Sequence, residues 1–123
     1  MKNLALVFTL FLFALASCVN AQSVNVETFE AGLTPEVQLL DVRTQEEFEE
    51  GYLKGAVRAD VNNEAEFEKA IGQLDKEKPV YVYCRSGKRS SEAAEILKGK
   101  GFIQVVDLDG GILAWEEQGK PVE

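Results

Sequence analysis

Along Val80-Tyr81-Val82-Tyr83-Cys84-Arg85-Ser86-Gly87-Lys88-Arg89-Ser90-Ser91, a nucleophilic sulfur is followed within five residues by three cations. Val80 to Tyr83 is a β-branched and aromatic run entered through Pro79, the pattern of a buried strand. Ser90 to Lys98 reads as a helix with Ala93, Ala94 and Leu97 on its inner face. A strand that turns tightly into a helix leaves backbone N–H groups converging at the helix N-terminus, where an anion is favoured. Those donors, the helix dipole and the side chains of Arg85, Lys88 and Arg89 would all stabilise a negative sulfur on Cys84. The chain has no histidine, so no imidazole can serve as base, and activation of the thiol rests on the loop. Gly87 supplies the backbone freedom that such a turn needs.

Other chemistries find less support. Without histidine, and with one cysteine in the folded part, only carboxylates remain as metal ligands, and they fall mostly on helix faces. No glycine-rich phosphate motif is present, and no cofactor is expected. A tyrosine-phosphatase-like loop also cradles an anion over a cysteine, but it needs five residues between cysteine and arginine. Here four separate Cys84 from Arg89, and the next residue is Ser90. The shorter loop favours sulfur over the bulkier phosphate.

The elements that must position this loop follow in order. Ser23 to Val26 alternates and fits an edge strand; Glu27 to Gly32 fits a short helix, with a break at Pro35. Gln38 to Val42 is a buried strand ended by charge. Thr44-Gln45-Glu46-Glu47 is a capping box that starts a helix ending near Gly51. Ala56 to Val61 is a third strand, in which alternation puts Val57, Ala59 and Val61 on one face. Asn63 caps a helix from Glu64 to Leu74, with Phe67, Ala70, Ile71 and Leu74 at helical spacing. After the Cys84 loop and its helix come a strand over Phe102 to Leu108 and a helix over Gly111 to Gln118. Strands separated by helical runs imply an α/β fold, a parallel sheet of about five strands with helices on both faces. Ligands of such sheets sit at the carboxyl ends of the strands, where Cys84 lies. Phe29, Phe48, Phe67 and Trp115 are expected in the core.

The N-terminus reads as a targeting segment. Lys2 precedes an apolar run from Leu4 to Ala16, too short for a spanning helix of about 20 residues. Residues 1–21 are therefore assigned to a signal peptide and residues 22–123 to a single domain. Two processing sites fit. Leu15-Ala16-Ser17-Cys18 looks like a bacterial lipoprotein box, with Cys18 lipidated, and Val19-Asn20-Ala21 before Gln22 fits ordinary cleavage. Either implies an exported protein, periplasmic or in the cell envelope, touching the membrane only through an N-terminal lipid. Unpaired cysteine is a liability in an oxidising compartment, so retaining Cys84 points to reactivity. The whole chain carries a net charge of −8. Removing residues 1–21 takes away Lys2 and no acid, which makes it −9 and argues against nucleic acid as partner.

Four motifs in order resemble the rhodanese family, the thiosulfate sulfurtransferases: the Cys84 loop, Leu40 to Phe48, Gly51-Tyr52-Leu53-Lys54-Gly55-Ala56-Val57, and Asp109 to Trp115. Together they span roughly Val24 to Val122. Tyr52 stands where the family often has histidine. The resemblance implies a rhodanese-like fold in which Cys84 cycles between thiol and persulfide. It moves sulfane sulfur from thiosulfate or a related donor to a thiol or cyanide. Arg85, Ser86, Gly87, Lys88, Arg89 and Ser90 would line the substrate site, and Asp41, Arg43 and Glu47 would hold the surrounding loops. A sulfur carrier that serves a protein acceptor, or a thiol sensor without turnover, would use the same loop. A monomer is expected.

Overall fold

The computed structural model describes residues 20–123. Five parallel strands alternate with five helices: β1 (Asn20–Val24), α1 (Val26–Gly32), β2 (Gln38–Asp41), α2 (Gln45–Glu50), β3 (Val57–Arg58), α3 (Glu64–Ile71), β4 (Val80–Tyr83), α4 (Lys88–Gly99), β5 (Gln104–Leu108) and α5 (Gly111–Glu117). The sheet order is β1-β5-β4-β2-β3. The chain leaves β2 towards β3 and leaves β4 towards β5, in the opposite direction. Their carboxyl ends therefore flank a switch point, the place where open α/β sheets bind ligands.

Alternation along the central strands sorts side chains into two cores. Val80, Val82 and Cys84 of the β4 segment join Leu40, Val42, Val105, and Phe67, Ile71, Ala93, Ala94 and Leu97 of α3 and α4. Tyr81 and Tyr83 point the other way, with Leu39, Val106, Leu108, and Val26, Phe29, Ile112 and Trp115 of α1 and α5. Helices thus cover both faces of the sheet, as expected. Each face buries its own modest apolar core, at about 25 cal/mol per Å² removed from water. The capping box is present: Glu47 N–H donates to Thr44 Oγ1, and Thr44 N–H donates to Glu47 Oε1.

Some elements differ from the sequence expectation. β1 is an edge strand but lies three residues earlier at its start, and Val26 belongs to α1, because Asn25 accepts from Thr28 N–H as N-cap. β3 is only two residues long. Val57 is 58% exposed while Ala59 is fully buried, so they do not share a face. Beyond Arg58 the chain still follows β2, with Ala59 N–H and Val61 N–H donating to Asp41 and Val42 carbonyls, but without the regular pleat. Phe48 is half-buried rather than core, stacked on Tyr52 with ring centroids 4.2 Å apart.

β1 pairs with β5 from Asn20↔Gln104 onward. It therefore begins two residues ahead of the domain start assigned from sequence, and Ala21 packs on the α3/α4 core. The lipobox and the apolar run lie outside the described residues. A chain that starts at Gln22 should be less stable than one that starts at Cys18 by about 1–2 kcal/mol, since strand pairing at two residues is lost. Thermal unfolding of the two purified proteins checks this, with roughly 5–10 °C between midpoints expected for a domain of this size.

Candidate active site

Cys84 follows the last residue of β4, and α4 begins at Lys88. The connection is a turn in which Gly87 takes a left-handed conformation, φ 105°. That turn brings Gly87 N–H to 3.0 Å from Cys84 Sγ, donating to the sulfur. N–H groups in the first turn of α4 have no acceptor within the helix, and such a helix start favours an anion. Cys84 is 1% exposed and is the one free cysteine among the described residues.

Amides turned inward leave carbonyls turned outward, and α5 takes them. Ile112 N–H donates to the Cys84 carbonyl at 2.9 Å and Leu113 N–H to the Arg85 carbonyl at 3.2 Å. This approach is possible because residue 111 is glycine. It is left-handed, and a Cβ there would collide with the Arg85 carbonyl. From sequence, Gly111 and Ile112 fall in the last helix and in the Asp109 to Trp115 motif but carry no role at the site; the Gly110-Gly111 pair after a strand was the available signal for close backbone approach.

The carboxyl end of β2 forms the other side of the crevice. Asp41 lies in register with Tyr83. Its buried carboxylate accepts three N–H bonds from the Arg43 guanidinium at 2.7–3.1 Å, and Arg43 also donates to the Gly51 carbonyl. Burial alone would lower the Arg43 pKa; hydrogen bonds to Asp41 and its charge outweigh this, and the pKa is raised. Removing one member of such a buried pair typically costs 3–5 kcal/mol. Tyr83, which the sequence reading treated only as strand, accepts from Leu53 N–H at 3.0 Å and fixes the segment after α2. Burial pushes its phenol well above the usual range.

Glu47 and Arg89 join the two sides. Both guanidinium ends donate to both carboxylate oxygens at 2.7 Å. Those bonds hold the Glu47 carboxyl at about 2, below its ordinary value of 4.5, and raise Arg89. Arg89 thus spans from the first turn of α4 to α2. Arg85, Ser86 and Lys88 are exposed at the loop surface, and among the described residues neither cation is in an ion pair. Ser90 is buried, its hydroxyl donating to the Gly87 carbonyl. Among the described residues no group of three or more metal-ligating side chains occurs.

A family profile described as the rhodanese-like domain matches residues 25–118. The chain belongs to this family. A thiosulfate sulfurtransferase, GlpE, of Shewanella oneidensis is 41% identical over 81 residues, covering 66% of this chain and 77% of that protein. A sulfurtransferase of Allochromatium vinosum is 34% identical over 89 residues, 72% of this chain and 80% of the relative. Among solved structures, a rhodanese-related protein of Thermoplasma volcanium superposes with a TM-score of 0.73 at 29% identity. The match covers 83% of this chain and 97% of that one. The fold and the rhodanese assignment read from the four motifs are therefore correct.

The Glu47–Arg89 pair makes a pH prediction. Glu47 is ionised in folded and unfolded chains above pH 4.5, so its contribution is complete there. Between pH 4.5 and about 2 the unfolded chain binds the proton first, and that stability is lost as pH falls. Glu47→Gln should cost on the order of 1–2 kcal/mol near neutral pH. Urea unfolding at stepped pH should show the gap between wild type and variant closing as the pH drops through that window. A constant gap would contradict the assignment.

Proposed function

We propose that this rhodanese is a sulfurtransferase that carries a sulfane sulfur on Cys84. The reading is carried by one observation: Cys84 Sγ accepts the Gly87 N–H at the N-terminal end of α4, in a loop whose carbonyls are drawn away by α5. The two sulfurtransferase relatives support it. The Cys84 thiolate attacks the outer sulfur of thiosulfate, a new S–S bond forms, and the bond to the sulfonate sulfur breaks with release of sulfite. The persulfide anion is held by the same loop donors that held the thiolate. Arg85 and Lys88, exposed and outside any ion pair among the described residues, meet the sulfonate as the donor arrives. Cyanide or a thiolate then takes the outer sulfur, and the electron pair of the breaking S–S bond returns to Sγ.

The deep burial of Cys84 favours a second reading, in which the loop is a sulfur carrier loaded by a protein donor and closed to free thiosulfate. Intact mass of the purified mature protein separates the two. One sulfur atom should be gained with thiosulfate and removed by cyanide, with no gain in Cys84→Ser. A protein that stays unmodified with an alkylatable Cys84 would favour the carrier.

We further propose that the protein is exported and anchored through a lipid on Cys18. Processing at Cys18 leaves β1 whole, whereas cleavage after Ala21 removes the strand's first two residues from the sheet. Metabolic labelling with a radiolabelled fatty acid should mark the wild type and not Cys18→Ala. An unlabelled wild type would exclude the anchor.

A further inference from the structure

Asp107 of β5 is a buried carboxyl, 3% exposed, on the sheet face that carries Val105 and is covered by α3 and α4. Cys84 joins the same face, and Val82, two residues before it, is the β4 register partner of Asp107. Asp107 Oδ2 accepts the Ser91 hydroxyl at 2.9 Å. Oδ1 is the one buried side-chain polar atom among the described residues that has no hydrogen-bond partner.

An ionised carboxylate here lacks the groups that would stabilise it. From α4 it meets the Ser90 and Ser91 hydroxyls and, around a cavity of about 100 Å³, Glu95. From β1 it meets Gln22 and Ser23, from β4 Val82, and along its own strand the charge of Asp109. None of these is a cation, and among the described residues Asp107 is in no ion pair. Burial, with the Asp109 charge, raises its pKa above the ordinary 3.8.

Ser90 has a single hydroxyl proton and donates it to the Gly87 carbonyl, so it cannot also donate to Oδ1, but its oxygen can accept. We infer that Asp107 is a positioning residue that acts as the neutral acid: its Oδ1–H donates to Ser90 Oγ, which donates on to the Gly87 carbonyl. The chain ends on the residue whose N–H holds Cys84 Sγ, and the Ser91 N–H braces the same carbonyl. When Asp107 loses its proton to solvent, the new charge draws the Ser90 hydroxyl away from Gly87, because a charged acceptor outcompetes a neutral one. The turn then holds Cys84 less firmly. The inference deepens the sulfurtransferase reading and rests on it for the task of the loop, but its test needs no turnover.

Infrared difference spectra between proteins with Asp107 and with Asp107→Asn read the proton. At about pH 6 an ordinary aspartate or glutamate is ionised, so a carboxylic-acid C=O stretch lost in the variant belongs to Asp107. The variant's amide can make the same two bonds, donating to Ser90 and accepting from Ser91, and carries no charge at any pH. The carbon shift of the Gly87 carbonyl, read in a Cys84→Ser background where no thiol titrates, should step at the infrared midpoint. That step should be lost in Asp107→Asn and in Ser90→Ala. In proteins that keep Cys84, the ratio of iodoacetamide alkylation rates between wild type and Asp107→Asn should change about twofold or more across the midpoint, and not in a Ser90→Ala background. A missing carboxyl band, a Gly87 step that survives either substitution, or a flat alkylation ratio overturns the inference. Both signals present in a protein that takes no sulfur from thiosulfate leave the positioning intact and count against the sulfurtransferase reading alone.

Discussion

The site depends on where the carbonyls of the Cys84 turn go. A loop can aim its N–H groups at an anion only if the opposite ends of the same peptides find donors elsewhere, since buried backbone groups are rarely left unpaired. Here the donors are Ile112 and Leu113 at the start of α5. One helix end thus lends its unsatisfied amides to the loop that opens the next anion cup, at the N-terminus of α4. Gly111 makes this contact possible by having no Cβ, and Gly87 closes the turn from the other side in a left-handed conformation.

Around that turn the ion pairs act as spacers more than as sources of stability. Asp41, Arg43 and the Gly51 carbonyl tie the end of β2 to the end of α2. Glu47 and Arg89 tie α2 to the first turn of α4. A cation in the first turn of a helix opposes the dipole, and the bidentate carboxylate offsets that cost. The pairs fix the two sides of the crevice relative to each other and, among the described residues, leave Arg85 and Lys88 without a partner acid. A chain with net charge −8 therefore presents free positive charge beside its sulfur. Over distances longer than about 8 Å the remaining acids are screened at physiological ionic strength.

Much of the fold was legible because its signals are local. The capping box at Thr44, the apolar runs of β2 and β4 and the helical spacing of Phe67 and Ile71 each act within one element. The errors lie where tertiary context decides. β1 reads weakly as Asn-Ala-Gln-Ser-Val because an edge strand needs little apolar content, and its pairing with β5 sets its limits. β3 lost its regular pleat because only β2 borders it, and Val57 faces water. Phe48 sits on a helix with no buried residue and stacks on Tyr52, the residue that departs from the family's usual histidine. In the site, Cys84 and its cations were readable from one stretch. The roles of Gly111, Ile112 and Tyr83 were not, because each acts on a segment far away in sequence.

The same geometry bears on why this anion loop fits sulfur transfer better than phosphate chemistry. A phosphatase-type loop needs an arginine free to present its planar fork to the equatorial oxygens of the transferring group. Arg89 comes one residue too early for that spacing, and its fork is occupied by Glu47. The following position is Ser90, which is buried and turned back to the Gly87 carbonyl. What remains at the sulfur is the Gly87 amide at the start of α4, in a loop with the exposed cations Arg85 and Lys88. Such a loop can hold the single negative sulfur of a persulfide, whose charge sits one bond beyond Sγ. It offers no bidentate partner to a phosphoryl group, which would bring three oxygens into a loop with four residues between cysteine and arginine.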